Sequence, residues 1–173
     1  MQDTGAFVDL YAGQYPRIVA YAQRRLGTPE EAEDCAAEVF RLAWEQPATP
    51  GVGWLFVTAK NLVYARCRQR RRQSGLIDRL GRDGAAGPSE DTGQAVRAAL
   101  GRLEESQREL LMAFYWDDLP GAQCAELMGC STAAVWVRLH RARRALRAVL
   151  LADEVAPPTV AAVAIPTYQG ELS

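Results

Sequence analysis

The chain has 173 residues, enough for one medium domain or two small ones. An apolar fraction of 49% suits a folded protein and excludes wholesale disorder. The net charge of -1 conceals two basic islands, six basic residues in Lys60–Arg72 and five in Ser131–Leu150 with no acid in either, set in a net acidic remainder; this pattern predicts two local anion-binding surfaces and acidic faces for a different partner.

Residues 7–26 are expected to be helical, with Phe7, Leu10, Tyr11, Ile18, Val19, Ala22 and Leu26 on the buried side. Pro16 is expected to restart that helix at a first turn, and Gly27 to end it. Thr28-Pro29-Glu30-Glu31 then combines a capping hydroxyl, a proline at the first position and a glutamate at the third, a strong helix start. The helix it opens runs to about Trp44, with Ala32, Cys35, Ala36, Val39, Phe40 and Ala43 facing inward. Glu31, Asp34, Glu38, Arg41 and Glu45 fall on the opposite face, either simply solvated or presented to a partner.

A Pro- and Gly-rich loop, residues 46–53, precedes a third helix that Trp54 opens. Leu55, Ala59, Leu62, Val63 and Cys67 are expected to pack inward, and Asn61, Tyr64, Arg68 and Arg71 to share another face. An aromatic ring, an amide and arginines on one face suit base stacking, base-edge hydrogen bonds and phosphate contacts. A basic helix end that stays wet, or one that lies on a membrane surface, is the alternative, and the apolar side is needed for the core. Residues 74–93 hold five glycines and little periodicity, which predicts a linker. Helices resume from Gln94, first around Val96, Leu100 and Leu103, then over 107–115.

The stretch 123–150 predicts a helix-turn-helix. A short helix ends at Met128, Gly129 supplies a turn with positive φ, and Ser131 caps the next helix. Val135, Leu139, Ala142, Leu146 and Val149 make its apolar stripe, while Arg138, Arg141, Arg143, Arg144 and Arg147 lie off it. In this motif the N-terminal half of the second helix enters the major groove, so Ser131, Thr132, Ala133, Trp136, Val137 and His140 would face bases and the arginines phosphates. An amphipathic helix with a solvated basic face would share the same pattern. The tail, residues 153–173, carries a short apolar run between prolines.

The four cysteines are scattered, the chain has one histidine, and no nucleophile, acid/base pair or phosphate loop stands at a usable spacing. No catalytic residue, metal site or cofactor is expected. No signal peptide or spanning segment is read at the N-terminus or elsewhere, and the expected setting is cytoplasmic.

Taken in order, these motifs resemble the extracytoplasmic-function class of bacterial RNA polymerase sigma factors. EAEDCAAEVFRLAW (Glu31–Trp44) is similar to the family's polymerase-docking helix, and GWLFVTAKNLVYARCRQRRR (Gly53–Arg72) to its promoter-melting helix. ALGRLEESQRELLMAFYWDDL and AELMGCSTAAVWVRLHRARRAL resemble its second DNA-binding domain. The chain departs from the family pattern at Trp136 and Val137, where polar residues are common, at Ala65, where an acidic one is, and at Pro120-Gly121.

The resemblance implies an all-α protein of two small domains joined by a flexible linker: a region 2-like domain over 1–73, a linker over 74–93, a region 4-like domain over 94–152 and a tail over 153–173. It implies a transcription initiation factor that binds core RNA polymerase and promoter DNA, and it would permit an anti-sigma partner; no membrane role is implied. By position, Asp34, Glu38 and Arg41 would contact the polymerase. Lys60, Asn61, Tyr64, Arg68 and Arg71 would contact minus-ten DNA. Ser131, Thr132, Ala133, Trp136, Val137, His140, Arg141 and Arg144 would contact the minus-thirty-five element. A helix-turn-helix regulator that binds duplex DNA unaided is the alternative, but the sequence offers no leucine-rich dimerisation helix for it.

Overall fold

The computed structural model describes residues 3–73 and 90–155. Every regular element among them is an α-helix: α1 (Thr4–Leu26), α2 (Pro29–Trp44), α3 (Val52–Gln73), α4 (Glu90–Arg102), α5 (Glu105–Tyr115), α6 (Gly121–Met128) and α7 (Thr132–Val155).

α1 starts earlier than its apolar pattern suggests, because Asp3 caps it by accepting from the Gly5 and Ala6 N–H groups at 3.0 and 3.4 Å. It also runs straight through Pro16, which lies inside the helix instead of restarting one. A proline there forgoes one helical hydrogen bond. Packing on both sides of it holds the helix together: Phe7 meets Trp44 edge-on at 4.8 Å, and Tyr21 meets Phe56 edge-on at 5.4 Å. Tyr11, expected inside, is 42% exposed and stacks on Tyr15. Tyr21 and Phe56, absent from the expected core, are fully buried.

Gly27 ends α1 at φ 92, with its N–H donating to the Gln23 carbonyl. Thr28 accepts from the Glu31 N–H at 3.4 Å and donates its hydroxyl to the Glu31 carboxylate at 2.7 Å, capping the helix ahead of Pro29. All six residues expected on the inner face of α2 are buried. α3 begins two residues before Trp54, and α1, α2 and α3 pack against one another around a single core.

α4 begins at Glu90, so the last four residues of the expected linker are helical; the rest of that linker and the tail beyond 155 lie outside the described residues. α6 begins at Gly121, two residues ahead of expectation, behind Pro120. Gly129 takes φ 61, Cys130 donates to the Ala125 carbonyl at 3.0 Å, and Ser131 Oγ accepts from the Ala134 N–H at 3.1 Å. Val135, Leu139 and Ala142 are fully buried under α5 and α6. α7 continues past residue 152, and Asp153 pairs with Arg102.

The two halves touch. α6 lies on α3, and the turn between α5 and α6 meets the C-terminal part of α1.

Candidate nucleic-acid interface

Three surfaces carry the expected site residues. On α2, Asp34 is exposed and Glu38 half-buried. Arg41 is exposed and bridged to both neighbours, to Glu38 at 2.6 and 2.8 Å and to Glu45 at 2.5 Å. The Arg41 hydrogen bond holds the Glu38 carboxyl below its ordinary range, so this carboxylate stays charged on the face. It is an acidic surface with one neutralised position.

On α3 the arginines divide. Arg66 donates to the Glu31 carbonyl at 2.6 Å, and Arg70 donates to the Leu26 carbonyl and pairs with Glu31, so both tie the helix to its own core. Asn61, Arg68 and Arg71 are exposed at steps of seven and three residues, about two turns and one, which brings them to one outward face. Lys60 and Tyr64 are half-buried beneath the second half of the chain. The Lys60 ammonium donates to the Leu127 carbonyl at the end of α6. Tyr64 lines a cleft of about 290 Å³ with Glu104, Glu105, Glu109 and Met128. Burial, and then the charges of Glu109 and Glu105, push its phenol up to about 12.

On α7, Ser131, Thr132, Ala133, Trp136, Val137, His140, Arg141 and Arg144 are all exposed. Ser131 also caps the helix. Trp136 is 49% exposed and leans edge-on against Phe114 at 5.7 Å. Its ring passes so close to Gly121 that a Cβ there would stand 3.0 Å from it, so the glycine of the Pro120-Gly121 departure makes room for the tryptophan. Arg143 is drawn away from the outward row, lying over the Phe114 and Tyr115 rings and donating to the Tyr115 hydroxyl at 2.6 Å.

One cluster has no counterpart in the sequence reading. The Arg25 guanidinium, its side chain 8% exposed, binds Glu109 at 2.9 and 3.0 Å and Asp117 at 3.1 Å. Tyr21 donates to Glu109 at 2.7 Å, and its ring stacks 3.5 Å beneath Arg25. Burial works to discharge Arg25, yet Glu109, Tyr21 and Asp117 outweigh it and hold the charge more firmly than usual; burial above all raises the Tyr21 phenol. A signal was available. Ile18, Tyr21, Ala22 and Arg25 follow one helical stripe, and Glu109 stands one turn before the buried Ala113, so charges stand where apolar residues are due.

Among the described residues no group of three His, Cys, Asp or Glu side chains could hold a metal, and all four cysteines are free. What the surfaces define is a helical protein with basic faces on α3 and α7 and a separate acidic face on α2. Residues 10–73 match the Sigma-70 region 2 family and residues 93–146 the Sigma-70, region 4 family. The ECF RNA polymerase sigma factor SigL of Mycobacterium tuberculosis is 32% identical over 147 residues, spanning 75% of this chain and 80% of that protein. CnrH, solved in complex with the cytosolic domain of CnrY, is 26% identical with a TM-score of 0.60, covering 87% of this chain and 91% of CnrH. The sigma factor RpoE, solved with the anti-sigma factor NepR from Bartonella quintana, shares the fold at 24% identity and a TM-score of 0.61, over 86% of this chain and 98% of that one. The chain belongs to the ECF family of RNA polymerase sigma factors.

Proposed function

We propose that each exposed surface serves one step of a sigma factor's work. The protein is a transcription initiation factor that binds RNA polymerase and directs it to promoters; the unaided helix-turn-helix regulator is not favoured. Its role is binding, not catalysis. Asp34 and Glu38 on α2, with Arg41 between two carboxylates, form the polymerase-docking face. Asn61, Arg68 and Arg71 on α3, joined by Lys60 and Tyr64, take the minus-ten element and help to open it. Ser131, Thr132, Ala133, Trp136, Val137 and His140 read the minus-thirty-five element, with Arg141 and Arg144 on its phosphates. The two matched segments act as separate units joined across residues 74–89, with residues after 155 outside both.

The observation that carries this assignment is the sorting of charge in the fold. Arg66 and Arg70 are spent on the core while Asn61, Arg68 and Arg71 are turned out together, and α2 keeps an acidic face that suits a basic protein surface and repels DNA. An anti-sigma protein is the further partner we propose, supported by a fold shared with a sigma factor solved with its anti-sigma factor. No helix among the described residues is long and apolar enough to cross a membrane, and we place the protein in the cytoplasm with its polymerase.

Reconstituted transcription tests the function. Core polymerase with this chain should initiate at specific sites on genomic DNA fragments, and neither component should do so alone. Specific, tight gel shifts of duplex promoter by the isolated chain would overturn it in favour of an autonomous regulator.

A further inference from the structure

Two of the chain's departures from the family pattern, Pro120-Gly121 and Trp136, are distant in sequence and meet in space. Gly121 is the first residue of α6, and Trp136 stands one turn into α7. A Cβ built on Gly121 would lie 3.0 and 3.4 Å from Cζ2 and Cε2 of the Trp136 indole, and 3.5 Å from Cγ2 of Thr132. Thr132 and Trp136 are one turn apart on α7 and so neighbours on its surface. The bare glycine is therefore the floor on which the indole rests. The backbone does not ask for a glycine here. Positive φ among the described residues is confined to Gly27, Asp118 and Gly129, so what Gly121 supplies is space.

Phe114 of α5 meets the same indole edge-on, at 5.7 Å and 78°. It is held in its turn by Arg143. That guanidinium lies 5.9 Å from the Phe114 ring centroid and 5.5 Å from that of Tyr115, and it donates to the Tyr115 hydroxyl at 2.6 Å. Trp136 and Arg143 are two turns apart on α7 and bracket Phe114 between them. One arginine of the basic helix is thus committed to aromatic packing and not to a phosphate. An indole on a helix surface has more than one staggered χ1 well open to it, and its χ2 is soft. An apolar contact to a thymine methyl discriminates only when the ring reaches the groove in one pose.

We propose that Gly121 and Phe114 are positioning residues for upstream recognition, a floor and a wall that hold the Trp136 ring in a single pose and so set its base preference without either touching DNA. The inference rests on α7 being the minus-thirty-five surface and on Trp136 reading a base there. It separates recognition from stability. A methyl group at 121 suits a helix better than glycine does, so the fold loses nothing. The half-exposed ring must give way by a few tenths of an ångström, so what it reads is altered.

The test uses the full chain with core polymerase on a promoter library randomised upstream, read column by column. Gly121→Ala, Gly121→Val and Phe114→Leu are each measured with Trp136 present and again beside Trp136→Ala, with thermal unfolding alongside. With Trp136 present, Gly121→Val and Phe114→Leu should lower the preference at the column that Trp136→Ala affects by at least about threefold, a part of what one base contact supplies. Gly121→Ala should act at the same column by less, with no fall in unfolding midpoint. Beside Trp136→Ala none of the three should change the profile further, the non-additivity required of residues that act through one ring. Should Phe114→Leu unfold, the two Gly121 substitutions decide. An equal effect with and without the ring would show that these positions act on DNA or on the fold directly, and would overturn the proposal. So would an unchanged column in folded Gly121→Val when Trp136→Ala alone removes the preference. A profile that Trp136→Ala itself leaves unchanged would refute Trp136 as a base reader, and the positioning role with it.

Discussion

Gly129 joins the two helices of the DNA-reading motif at φ 61, a backbone region where a Cβ is crowded by the carbonyl. Nothing lies within 4 Å of a Cβ built there, so backbone strain alone sets the cost of a side chain. Gly129→Ala should therefore destabilise the protein by about 1–2 kcal/mol, with no effect on DNA preference beyond that loss. Thermal unfolding checks it; an unchanged midpoint would show that the turn relaxes freely. Trp136 is the complementary case, a residue placed for contact more than for stability. It is half exposed on the face we assign to the groove, braced by Phe114 and admitted by Gly121. Trp136→Ala should change base preference at one upstream position by about 1–3 kcal/mol, the worth of a direct apolar contact to a thymine methyl or base edge. Transcription from a promoter library randomised upstream would show this as a preference lost at one column. An unaltered library profile would assign the ring to a protein partner instead.

At the scale of elements, α2 separates folding from function most cleanly, because its stripe of six buried residues is distinct from its acidic face. Asp34→Lys with Glu38→Lys should leave the helix folded, at little cost in stability, because both lie off the buried stripe and surface ion pairs contribute little. Core-polymerase capture by the double variant should fall sharply; full capture would remove α2 from the docking surface. This helix was legible from sequence to its ends, since cap, proline, glutamate and apolar period agree. α1 was not. Pro16 signals a break locally, and only contacts from α2 and α3 on either side of it carry the helix through. Gly129, Ser131 and the α7 stripe were readable for the same reason as α2. Arg25 was readable as a charge out of place, but its partners stand 84 and 92 residues away, beyond any local pattern. The same distance hid the covering of Lys60 and Tyr64, which sequence spacing places correctly on α3 and cannot place relative to α6.

Across the whole molecule, every element assigned to polymerase or promoter ends by Val155. A chain ending at Val155 should support basal transcription with core polymerase at the level of the full protein. One ending at Ala152 removes Asp153 and its pairing with Arg102, a half-exposed ion pair worth about 0–1 kcal/mol, and should differ only slightly in unfolding midpoint. Run-off transcription and thermal unfolding of both truncations check this; inactivity of a folded chain ending at Val155 would give residues 156–173 a part in initiation. The division of labour between the halves has its most direct test at the melted promoter. With core polymerase present, the variant carrying Asn61→Ala and Arg68→Ala is assayed for promoter retention by gel shift and for unpaired thymines by permanganate reactivity. The expected result is near-normal retention, held by α7, with permanganate reactivity at the minus-ten element reduced by about tenfold or more, as the loss of single-strand contacts of about 1–3 kcal/mol each implies. Equal loss in both assays would mean that these residues only position the DNA backbone, and normal permanganate reactivity would contradict α3 as the helix that opens it.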